Sequence, residues 1–151
     1  MRRLLRRAGA ESGAVGGVEM LPFGVLVFVV GTLLIVNAWG VVDAKMTVAS
    51  AAREAVRAFV EAPPGGDAQA LATAAARQTV AALGRTARPP LVDVQGQLTR
   101  CARIVATVGY AIPAVRLPWV GGLGTFTVRS TASEIVDPLR GGLEGEARCV
   151  G

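Results

Sequence analysis

Cys101 and Cys149 are the residues best equipped for covalent chemistry, and the bond they offer is a disulfide closing a loop of about fifty residues. The chain-entropy argument gives such a bridge about 3–4 kcal/mol. Two free thiols are the alternative. A metal centre has little to draw on, because the chain has no histidine. For the same reason no nucleophile–histidine pair can form. A serine–lysine dyad would need Lys45, which has no distinctive serine motif beside it. Asp43, Asp67, Asp93 and Asp137 are scattered through helix ends, turns and tail, not paired for acid–base work. Gly121-Gly122-Leu123-Gly124 lacks the lysine and the following helix of a phosphate loop. The reading is therefore not an enzyme, with no cofactor and no small-molecule ligand.

Glu19 stands apart. It immediately precedes 23 uncharged residues, 20–42. A carboxylate at the edge of hydrocarbon is costly unless it is paired or reaches the interface. One reading balances it against the upstream arginines. The other pairs it with a cation on another chain, such as a new α-amino group left by a cleaved leader.

The element that holds Glu19 is the apolar run itself. At about 1.5 Å per residue it spans roughly 35 Å, more than a hydrocarbon core of about 30 Å. A soluble helix of that length needs a polar face, and this run has none. Arg2, Arg3, Arg6 and Arg7 precede it, whereas Asp43 and Lys45 follow and cancel. The positive-inside rule then puts the N-terminus in the cytoplasm and everything after Val42 outside the cell membrane. A cleaved signal peptide is disfavoured by the length of the run, and Trp39 suits an interface anchor. Net charge is +5, aromatic content is 5% and no basic run occurs, so nucleic acid is not an expected partner.

The helical pattern continues past the run. Val48, Ala52, Val56 and Phe59 recur at helical spacing, and Arg57 and Glu61 are placed for an i,i+4 pair. One helix is expected from about Val18 to Glu61, ended by Pro63-Pro64-Gly65-Gly66. Asp67 suits an N-cap and Gly84 a C′ position, with Ala72, Ala76, Val80 and Leu83 along one side between them. Beyond Pro90, strands are expected at 91–94, 102–112 and 124–136. Pro113 and Pro118 frame a loop, and the tail from Asp137 is irregular. The fold class is thus α+β: a long transmembrane helix continuing as an amphipathic one, a second Ala-rich helix and a small antiparallel sheet. The divisions are a basic leader at 1–13, a transmembrane segment at 14–42 and an exported domain at 43–151.

These features resemble the TadE-like family, pilin-like components of the tight-adherence pilus and secretion machinery, and most closely its actinobacterial members. The resemblance lies in the Arg-rich leader, Gly13-Ala14-Val15, and Val18-Glu19-Met20 opening a single apolar helix. It extends to Ala51-Ala52-Arg53-Glu54-Ala55-Val56-Arg57-Ala58 and to the closing strands around Val108-Gly109-Tyr110 and Val128 to Glu134. It implies an assembly role, with other pilin-like subunits, Tad platform proteins and membrane lipid as partners. It also implies a prepilin peptidase cutting at Gly13 or Ala14, and Glu19 as the acid that sets subunit register. Cutting after Gly13 makes Glu19 the sixth mature residue; cutting after Ala14 makes it the fifth. An uncleaved, membrane-anchored binding or adhesion module is the alternative.

Overall fold

The computed structural model describes residues 15–146, 148 and 149, with side chains in the first helix from Met20 onward. The chain is α+β: α1 (Val15–Val60), α2 (Ala68–Ala82), β1 (Leu91–Gln95), β2 (Arg103–Leu117) and β3 (Gly121–Ile135). It divides into two units, residues 1–36 and 37–151.

In the first unit α1 turns Phe23, Leu26, Phe28, Leu34 and Ile35 outward on every side. Its polar Thr32 hydroxyl is satisfied within the helix, donating to the Phe28 carbonyl at 2.8 Å. Such a surface suits lipid and not water. Among the described residues α1 is the one helix long and apolar enough to cross a membrane, and it lies near the N-terminus.

In the second unit α1 becomes one-sided. Ala44, Val48, Ala51, Ala52, Ala55, Val56 and Phe59 are buried, at helical spacing, while Arg53, Glu54 and Arg57 face out. Arg57 and Glu61 pair at 2.9 Å on that outer face. The hydrogen bond to Glu61, and secondarily its charge, raises the Arg57 pKa above an already very basic value. That contribution persists until pH rises past the ordinary arginine range, so it makes no switch at physiological pH.

α2 starts where Asp67 accepts the Ala70 N–H at 2.9 Å. It stops at Gly84, whose φ of +77° only glycine takes freely. The Gly84 N–H donates to Ala81 and the Arg85 N–H to Val80, which is the Schellman pairing. Ala72, Ala76 and Val80 are buried as expected, but Leu83 is exposed. Leu83 is the C-cap residue, one step past the helix, so its side chain leaves the buried stripe.

The sheet is antiparallel in the order β1-β2-β3. Ile104, Ala106, Val108, Tyr110 and Ile112 alternate into the core, met by Val128 on β3. The opposite face carries polar pairs, such as Thr107 with Thr131 at 3.0 Å between their hydroxyls. The strand candidates are present, but β2 runs on to Leu117, through the loop expected between Pro113 and Pro118, and β3 begins earlier than expected, at Gly121. Pro113 lies inside β2, opposite Thr125. From Tyr110 onward β2 has β3 alone as a partner, and a proline is tolerated on such an edge because its missing N–H forfeits no ladder bond. Gly122 completes the fit, since a Cβ there would stand 2.7 Å from the Pro113 Cβ.

Candidate assembly surface

Gly13 and Ala14, the residues placed at a processing site, lie outside the described residues. Glu19 lies in the first turns of α1, and its side chain is likewise outside what the structure describes.

Cys101 and Cys149 form a disulfide, with Cα atoms 5.2 Å apart. It joins a position two residues before β2 to the irregular tail. Neighbouring bonds reinforce the seam: the Arg100 N–H donates to Glu144, the Cys101 N–H to Val136, and Arg100 Nε to the Arg140 carbonyl. The tail is thus tied along the end of the sheet although it has no regular structure.

A second cluster forms where α1 leaves its charge-free stretch. The Schellman turn after α2 aims Arg85 at α1. There Arg85 Nη2 meets Asp43 Oδ2 at 2.5 Å, and Nε donates to the Thr47 hydroxyl at 3.3 Å. The guanidinium also lies 5.7 Å from the centroid of the Tyr110 ring, within cation–π range. One side chain so connects both helices to the central strand. Lys45 donates to the Arg129 carbonyl on β3. Asn37 clasps one backbone position of β2: its Oδ1 accepts the Arg116 N–H at 2.6 Å, and its Nδ2 donates to the Arg116 carbonyl at 3.2 Å. These bonds dock the helix on the sheet where apolar packing is thin.

Beside this cluster is an open cleft of about 570 Å³, lined by Asp43, Arg85, Arg88, Tyr110, Arg116 and Thr125 among others. Asp43 offsets Arg85. The remaining guanidinium groups, Arg88 and Arg116, make the cleft attractive to anions. Among the described residues no three of His, Cys, Asp and Glu gather where they would hold a metal.

The sequence did not point to Asn37, Arg85 or Arg116. A usable signal was present for Asn37, since a carboxamide inside an apolar stretch needs a partner. The arginines carried none.

Arg85 has a side chain only 14% exposed, against 62% for Asp43. Asp43→Ala therefore strands a mostly buried cation, and the solvent around Asp43 moderates the cost to about 1–2 kcal/mol. Thermal unfolding of the detergent-solubilised chain, followed by near-UV circular dichroism, will show the loss. An unchanged midpoint would mean that Arg85 is solvated without Asp43.

Fold and surface together define an α+β protein built on one helix long and apolar enough to cross a membrane and stapled by a disulfide. Comparison with family models, with curated proteins and with solved structures gives no match to this chain.

Proposed function

We propose that this protein is a pilin-like structural or assembly subunit of a Tad-type pilus or secretion apparatus. In this reading α1 holds it in the cell membrane with the N-terminus in the cytoplasm and the second unit outside. The observation that carries the reading is the double character of α1. Its first half offers apolar side chains all round, and its second half buries an alanine-valine stripe in the core it shares with α2 and the sheet. A subunit that packs by its helix in lipid and presents a small rigid head needs that division. Association in lipid would use small residues and van der Waals packing, as at Gly24 and Gly31, where an added Cβ meets nothing within 4 Å among the described residues. Partners would be other pilin-like subunits and platform proteins, with a prepilin peptidase acting near Gly13 and Ala14. The role is assembly and not catalysis.

The arginine-lined cleft supports a second reading, an uncleaved membrane-anchored binding or adhesion module. N-terminal sequencing of protein from native membranes separates the two. A new terminus at Ala14 or Val15 is expected for the first, and an intact Met1 favours the second. In the same membranes Glu19→Ala should lower cross-linking to partner subunits several-fold while leaving membrane insertion intact. Unchanged cross-linking would reduce Glu19 to an interfacial charge.

A further inference from the structure

We infer that the tip of the β2–β3 hairpin is a second membrane contact, entering the same leaflet from which α1 emerges. The inference rests on α1 crossing a membrane and not on the Tad assignment.

The geometry gives the direction. Lys45 of α1 meets Arg129, which sits opposite Gly109 in the β2–β3 register. Asn37 of α1 meets Arg116, which sits opposite Gly122. Passing from Lys45 back to Asn37 along the helix therefore means passing toward the hairpin turn along the sheet. Asn37 lies five residues inside the charge-free stretch ending at Val42, roughly 8 Å by helical rise. The turn lies beyond Arg116, about 7 Å further by two strand steps. Because residues 37–42 belong to the charge-free stretch, the strand clasped at Asn37 brings the hairpin turn to the membrane surface if that stretch is in lipid.

The residues at the tip have the matching chemistry. From Leu117 to Val128 no residue is charged. Trp119 is fully exposed, and Val120 and Leu123 are at least half exposed. Trp119 holds a positive φ of 66°, a position that turns its ring outward from a tight turn and that costs a non-glycine residue some strain. Tryptophan favours the headgroup region, where an apolar ring and one N–H are both satisfied. Above the tip, Arg88 and Arg116 line the cleft, and long side chains of this kind can reach from apolar surroundings toward lipid phosphates. An apolar tip below a pair of guanidinium groups fits a lipid surface better than a second copy of this net-basic chain.

The test uses the full chain, one copy per lipid nanodisc, with lipids brominated high on one acyl chain. The two tryptophans, Trp39 and Trp119, are isolated in turn by Trp119→Phe and Trp39→Phe. Trp39 reports on α1 and Trp119 on the hairpin. Both are expected to lose at least half of their fluorescence to the bromolipid and to be shielded from aqueous acrylamide. Quenching of Trp39 with Trp119 unquenched overturns the hairpin contact while leaving the helix in lipid; if Trp119 is also shielded from acrylamide, protein covers the tip. Absence of quenching at both positions overturns the membrane span and the hairpin contact together.

Discussion

Cys149→Ser will lower the stability of the second unit by about 3–4 kcal/mol, and reduction of the intact protein will do the same. The bridge joins residues 48 apart in sequence and closes a loop that contains all of β2 and β3. Without it the unfolded chain regains the freedom of that whole loop. The folded chain also loses the anchor of a tail that has no strand or helix of its own. The other ties include single hydrogen bonds worth about 1 kcal/mol each, from Arg100 to Glu144 and Arg140 and from Arg140 to Ala62, and the packing of Val136 and Leu143 at the core. A small domain has about 5–15 kcal/mol in total, so the loss is a large share. In detergent micelles the thermal midpoint is expected to fall by more than 10 °C, since each kcal/mol moves a domain of this size about 4–8 °C. Faster migration on non-reducing than on reducing gels is the accompanying check. A midpoint within a few degrees of the native one would show that the tail's other bonds suffice.

Ile104→Ala is expected to cost about 2–5 kcal/mol, the range for truncating a fully buried branched side chain. Ile104 is completely buried near the start of β2. Its Cδ1 fills the space over Gly96, where a Cβ would stand only 2.7 Å away. Gly96, with φ +123°, has no side chain to move into the vacated volume. The site can therefore relax little, and the upper half of the range is expected. Chemical denaturation should show a lower midpoint with an unchanged slope, because the same surface is exposed on unfolding. An effect under 1 kcal/mol would mean that neighbouring side chains close the gap. Because β2 is the central strand, this loss would also weaken the seat of the buried half of α1.

The local features were legible in the residues. Twenty-three uncharged positions specify a helix suited to lipid, because no polar face exists to hold it elsewhere. Asp67 and Gly84 mark the ends of α2, because capping involves backbone groups only a few residues away. Alternation at Ile104, Ala106, Val108 and Tyr110 identifies the inward face of β2, because strand geometry repeats every second residue. With two cysteines, only one intramolecular bridge is possible.

What the tertiary structure decided involves groups far apart in the chain. Pro113 reads as a loop boundary until β2 is known to have an open edge there. Leu83 reads as part of a buried stripe until the helix is known to end before it. The clasp of Asn37 on Arg116 spans 79 residues, and the Arg85–Asp43 pair spans 42. No periodicity or cap connects such positions. They meet only because the register of the sheet and the exit angle of the α2 turn bring them together, and a hydrogen bond forms wherever partially buried polar groups are left within reach.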